Sequence, residues 1–222
     1  LQAAVPVIAV SAVRTGCGKS QTTRWIARRL RERGLRAAVM RHPMPYGDLA
    51  TMAVQRFATM ADLDTGRCTI EEREEYEPHI AAGTIVYAGV DYARILERAQ
   101  SAAGCTLEER EEYEPYIESG AVVFAGVDYA AILHAAEAEA ALIIWDGGNN
   151  DLPFLRPDLH LVLVDPLRAG NETTHHPGEA VLRMADVVIV AKTDASSAAD
   201  IQRVTRAART TNPNARLVWG AS

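Results

Sequence analysis

Residues 7–20, VIAVSAVRTGCGKS, constrain this chain most. The apolar, β-branched run at their start suits a strand buried on both faces. It feeds at once into a glycine-rich turn that closes on Gly18-Lys19-Ser20, with the helix-forming run QTTRWIARRLRERG behind it. Strand, glycine loop and helix in that order make a phosphate-binding loop. Small residues let backbone N–H groups close round phosphate oxygens, the helix offers its positive end, Lys19 reaches the β and γ oxygens, and Ser20 ligates Mg²⁺. The ordinary loop has glycine where this chain has Val13. A variant loop fits better: it carries a second basic residue five positions before the lysine, held here by Arg14, with Thr15 in place of the first glycine. A guanidinium at that point can grip phosphate oxygens bidentately. The expected nucleotide contacts are therefore Arg14, Thr15, Gly16, Cys17, Gly18, Lys19, Ser20 and Gln21, with Lys19 and Arg14 also catalytic.

Short apolar runs recur at 7–13, 37–41, 84–88, 121–125, 142–146, 159–165, 187–191 and 216–220, alternating with helical segments at 21–33, 91–100, 128–139, 179–185 and 198–210. This alternation predicts an α/β fold with a doubly wound, mainly parallel sheet, and places function at the C-terminal strand ends. With 222 residues, 48% of them hydrophobic, one domain over 1–222 is the default. A net charge of −6 argues against nucleic acid and anionic membrane as partners, while permitting a local basic pocket for a small anion. No bilayer-spanning run or secretory leader is evident, and Cys17, Cys68 and Cys105 lack metal or disulfide spacing, so a cytoplasmic protein is expected. Cys17, beside a helix start, is also a place where a thiol pKa can fall, although a small filler residue is the commoner role.

The rest of the expected site lies further along. Asp146, ending the run LIIWD before Gly147-Gly148, is placed to hold Mg²⁺ or its waters, together with Ser20. The stretch VVIVAKTD resembles a base-recognition motif with Ala191 in the place of asparagine, so Lys192 and Asp194 are expected at the base. The proline-stiffened loop RHPMPYGDL offers Arg41, His42 and Tyr46 to a phosphorylated or carboxylated substrate, and Asp48 to order a nucleophile or metal-bound water. Asn149 is a further substrate candidate. His175 and His176 supply too few ligands for a metal by themselves.

An internal repeat interrupts this plan. Residues 68–99, CTIEEREEYEPHIAAGTIVYAGVDYARILERA, return as 105–136, CTLEEREEYEPYIESGAVVFAGVDYAAILHAA, an offset of 37 residues. Each copy reads as an acidic helix, a strand, a Gly-Val-Asp turn and a second helix: a tandemly duplicated α-β-α unit that adds a strand or a flanking layer. The charges around Arg73 and Arg110 read as a solvated helical face with its own ion pairs, leaving Tyr76 and Tyr113 as a residual case for substrate or partner contact.

Together VRTGCGKSQT, RHPMPYGDL, CTIEEREEYEPHI, WDGGNND and the VDP…HHPGE…MADVVIVAKTD series resemble the P-loop domain of cyclic 2,3-diphosphoglycerate synthetase, over nearly the whole chain. The resemblance implies a P-loop NTPase with the variant loop and an ATP-dependent ligation that closes an intramolecular phosphoanhydride, releasing ADP and phosphate. It puts the nucleotide on Arg14, Gly16, Gly18, Lys19 and Ser20, the metal at Asp146, and the substrate by Arg41, His42 and Asp48. ATP with Mg²⁺ is the expected cofactor, with GTP as the other candidate nucleotide and a homodimer as the candidate assembly. The competing expectation is a nucleotide-gated switch or metallochaperone-type GTPase whose loops contact a partner and no small substrate.

Overall fold

The computed structural model describes residues 1–41, 54–66, 68, 70–88, 129–147, 152–175 and 177–221. Eight strands form one sheet: β1 Val7–Ala12, β2 Ala37–Arg41, β3 Gln55–Phe57, β4 Ile85–Ala88, β5 Leu142–Asp146, β6 Leu159–Val164, β7 Val187–Val190 and β8 Arg216–Trp219. Their order across the sheet is β3-β4-β2-β5-β1-β6-β7-β8. Every pairing is parallel except β3 with β4. The doubly wound sheet inferred from the alternating runs is thus present, and the strand expected at 121–125 and the helix at 91–100 lie outside the described residues.

Neighbouring residues of one strand go to different apolar clusters, which is the mark of a sheet covered on both faces. Val10, Val39 and Ile144 pack with Ala27 of α1 (Lys19–Glu32), Val181 and Leu182 of α5 (Gly178–Arg183) and Val204 and Ala208 of α6 (Ala198–Thr211). Val7, Ala38, Met40 and Ile143 face the other way, onto Ile132, Leu133 and Ala136 of α4 (Tyr129–Glu137). Among the described residues no helix is long and apolar enough to cross a membrane.

Two elements have no counterpart in the periodicity reading: the antiparallel edge strand β3 and α2 (Met60–Thr65). β3 is a three-residue Gln-Arg-Phe segment with no apolar run, and α2 is a six-residue helix started by a reciprocal cap between Thr59 and Asp62.

The first repeat copy supplies α3 (Ile70–Ala81) and β4, which lies between β3 and β2. The second copy supplies α4, seated on β2, β4 and β5. Along α3, Arg73 pairs with Glu77 at 2.9 Å and with Asp64 at 2.5 Å, as a solvated charged face requires. Its other face is buried and carries Glu72, Tyr76, His79 and Ile80. Tyr76 stacks on Phe57 with centroids 5.2 Å apart, so it belongs to the core and the expected substrate or partner contact is corrected for it. Tyr113 lies outside the described residues.

Candidate nucleotide site

The loop leaves β1 at Val13, whose N–H donates to the Leu163 carbonyl at 3.1 Å, and ends at Gly18, the residue that caps α1. Two positions in it need glycine. Gly16 has φ +80° and Gly18 φ +100°, a region open to side chains only at a cost, and a Cβ on Gly16 would come within 3.2 Å of the Arg168 guanidinium. Gln21, one turn into α1, brings its amide oxygen within 3.3 Å of where a Gly18 Cβ would stand.

The loop is clamped from behind. Arg168 donates to the Thr15 carbonyl at 2.8 Å, and Lys192 donates to the Gly16 carbonyl at 2.7 Å and to Asp165 Oδ2 at 2.8 Å. A trans peptide points its C=O and following N–H in opposite directions. Holding these two carbonyls therefore turns the N–H groups of Gly16 and Cys17 away from the cations, as a phosphate cradle requires. Asp165 is itself fixed, since its Oδ1 accepts from the Leu167 N–H at 3.0 Å at the start of the turn Pro166–Arg168. Lys192 adopts φ +53°, a left-handed conformation that a non-glycine residue enters at a cost of order 1–3 kcal/mol. The strain accompanies the contact that holds the loop.

Lys19 opens α1 and is buried, and Ser20 follows it, half-buried. The Arg14 Nε is buried without a hydrogen-bond partner in the protein, a donor left for water or a ligand. Asp146 ends β5 at 1% exposure, aligned with Val10 of β1 and Arg41 of β2. The next residue, Gly147, donates its N–H to the Val10 carbonyl at 3.1 Å. Asp146 thus stands on the strand next to the loop, at the same edge of the sheet.

The side chain beside it differs between the two repeat copies but is not among the site residues expected from the sequence. His79 Nε2 lies 3.5 Å from Asp146 Oδ2, and both side chains are wholly enclosed. The readable signal was spacing, because Glu72, Tyr76, His79 and Ile80 recur at the period of one helical face.

Other expectations take definite places. Cys17 is 1% exposed and burial raises its thiol pKa, so the loop cysteine is the small filler and the lowered-pKa expectation is corrected. The Lys192 head is committed to Gly16 and Asp165, and Asp194 is exposed. His175 is exposed, its Nδ1 3.0 Å from Thr174 Oγ1. Arg41 closes β2, and its side chain together with His42, Tyr46, Asp48, Asn149 and His176 lies outside the described residues.

The donor set suits a magnesium nucleotide. The described residues assemble no cluster of three or more Cys, His, Asp or Glu, and so build no all-protein metal cage among themselves. Mg²⁺ in nucleotide sites takes one or two protein oxygens and leaves the remaining positions to phosphates and water, so a hydroxyl and a carboxylate such as those of Ser20 and Asp146 are of the right chemical kind.

No protein-family profile matches the chain. Arginine synthetase ArcE of Thermococcus kodakarensis is 49% identical over 222 residues, which is 100% of this chain and 41% of that protein. The chain therefore spans about two fifths of the length of the curated relative it matches. Among solved structures, the hydrogenase maturation factor HypB from Archaeoglobus fulgidus superposes with a TM-score of 0.52 at 14% identity, over 97% of this chain and 80% of that one. The chain has the fold of a P-loop NTPase. In this P-loop NTPase fold the loop at residues 14–20 occupies the turn between β1 and α1, and the strand order brings Asp146 next to it.

Proposed function

We propose that this P-loop NTPase unit is the ATP-binding part of a synthetase that joins a small anionic metabolite at the expense of a phosphoanhydride bond. The observation that carries the reading is the clamped loop: a strained lysine and an arginine fix the Gly16 and Thr15 carbonyls, next to an arginine whose buried Nε has no hydrogen-bond partner in the protein. Identity of 49% along the whole chain to a protein named a synthetase supports a ligation over simple hydrolysis.

In this reading Lys19 and Arg14 face the phosphates, Ser20 and Asp146 hold the metal, and the Lys192 stem and Asp194 line the base. A bound Mg²⁺ would neutralise charge on the β and γ oxygens during transfer. Lys19 and Arg14 act on charge that develops at the transferred group, so losing either lowers kcat more than nucleotide affinity. The substrate is a small molecule carrying phosphate or carboxylate, met by the residues that leave β2 from Arg41 onward. The resemblance to cyclic 2,3-diphosphoglycerate synthetase supports 2,3-bisphosphoglycerate, and the name of the relative supports a reaction that forms arginine.

The test is nucleotide turnover by the purified chain with ATP and with GTP, alone and with 2,3-bisphosphoglycerate, and, run backwards, ATP formation from ADP and phosphate with arginine. ATP turnover raised by the bisphosphoglycerate supports cyclisation, and arginine-dependent ATP formation supports the arginine reaction. Turnover that responds to neither, but rises with a protein partner, would overturn the synthetase reading.

A further inference from the structure

We infer that His79 is the positioning residue for Asp146, and that the first copy of the repeat is in consequence the copy that serves the site. The inference rests on the nucleotide-site reading of Asp146 given above.

A carboxylate enclosed at a strand end contributes little as packing and costs several kcal/mol in lost hydration unless something compensates it. The imidazole 3.5 Å away, equally enclosed, is placed to do so from α3. That separation is longer than a made hydrogen bond, and contacts of catalytic groups are commonly loose before ligand arrives. With its proton on Nε2, the imidazole would donate toward Oδ2 and limit how the carboxylate can rotate about its last bond. A carboxylate held in this way meets a cation in one orientation, and such outer partners change metal affinity or activity by about 10–100-fold when removed.

The repeat supplies an independent observation. Among the described side chains of α3, Glu72, Tyr76, His79 and Ile80 face inward. The second copy keeps three of them, as Glu109, Tyr113 and Ile117, and replaces only His79, by Tyr116. If the inner face served packing alone, no reason would single out that one position. A phenol carries its donor at the end of a longer ring, so a tyrosine at this helical position would not set a donor where the His79 Nε2 stands. The pattern separates a general requirement of the helix from a particular requirement of the site.

The experiment measures Mg²⁺-dependent binding of a fluorescent ATP analogue, with melting temperature recorded for each protein. The set is wild type, His79→Leu, His79→Asn, Asp146→Asn, the double variant His79→Leu with Asp146→Asn, and Lys19→Ala. His79→Leu is expected to raise the half-saturating Mg²⁺ about 10–100-fold while leaving metal-free nucleotide affinity at the wild-type value. His79→Asn, which retains an N–H donor, should recover part of the loss. In the Asp146→Asn background His79→Leu should add nothing further, since a residue that acts through Asp146 has no effect once that carboxylate is gone. Should His79→Leu unfold, His79→Asn carries the same comparison. A wild-type Mg²⁺ response in a folded His79 variant, or effects that simply add in the double variant, would overturn the positioning role. In that event loss of nucleotide binding in Lys19→Ala leaves the nucleotide site standing. A wild-type protein whose nucleotide binding ignores Mg²⁺ overturns both.

Discussion

Replacing Lys192 with Met is the most direct probe of the clamp behind the phosphate loop. The variant keeps the apolar stem and the strained backbone and removes only the ammonium, so it isolates two contacts: 2.7 Å to the Gly16 carbonyl and 2.8 Å to Asp165. Hydrogen bonds to charged groups contribute about 1.5–3 kcal/mol each, and a buried charge left without its partner adds to the loss. The Asp165 side chain is 1% exposed and that of Lys192 22%, so water does little to replace the ammonium. Asp165 retains the Leu167 N–H, which moderates the penalty. A net destabilisation of about 3 kcal/mol follows, and at about 2–4 °C per kcal/mol for a chain of this size the melting temperature should fall by roughly 6–12 °C. The double variant with Asp165→Ala should regain part of that fall, because it removes the stranded carboxylate. Thermal melting followed by circular dichroism reads both numbers, and fluorescent-nucleotide titration reads the effect on binding, expected to weaken. A Lys192→Met protein that melts within about 2 °C of wild type and binds nucleotide equally well would refute the clamp.

Three further outcomes are expected. Deleting residues 89–125 joins Ala88 to Gly126 and keeps α3, β4 and α4, so a cooperative melt near that of wild type should survive. Deleting 68–104 instead puts Tyr116 and Phe124 where His79 and Tyr87 stand; it should also fold but melt lower, and a first deletion that fails to fold by circular dichroism would sink the tandem reading. Glu139 accepts from Arg56 at 2.5 Å and from the Tyr87 hydroxyl at 2.6 Å, and these partners hold its carboxyl down at about 2. A depressed carboxylate contributes stability that is complete above its ordinary value near 4.5 and is lost as pH falls through about 2. Glu139→Gln should therefore flatten the melting temperature over that window, and an unchanged acid limb would exclude the role. In Gly178→Ala the new Cβ would meet the Val13 carbonyl at 2.7 Å, immediately before the loop, so a loss of about 1–3 kcal/mol by denaturant unfolding is expected.

The sheet was legible because buried parallel strands announce themselves as apolar runs, and β1, β2 and β5 fall within a residue of where those runs lie. β3 was not, since three residues of mixed polarity carry no period. The cap of α2 was written plainly as Thr59 and Asp62, but six residues are too few for a helical period to register. The loop could be read at Gly16 to Ser20 because each residue type there has its own chemistry. His79 could be read only as an exchange for Tyr116 between the copies on one helical spacing; its meeting with Asp146 depends on which face of α3 turns inward. The reach of Lys192 to Gly16 spans 176 residues and requires a left-handed backbone that nothing local demands. Contacts of that kind are set by the assembled sheet and leave no mark in a window of sequence.

The strand order also has a temporal consequence. β1 is made before both of its neighbours, β5 and β6, which begin at Leu142 and Leu159, and before the clamps on its loop, Arg168 and Lys192. A chain emerging from the ribosome carries the phosphate-binding letters long before it has the groups that shape them. Nucleotide affinity should thus appear late and abruptly during synthesis, once residues beyond 192 are free to dock, and the early part of the polypeptide must wait as an unpaired apolar segment for partners more than a hundred residues away.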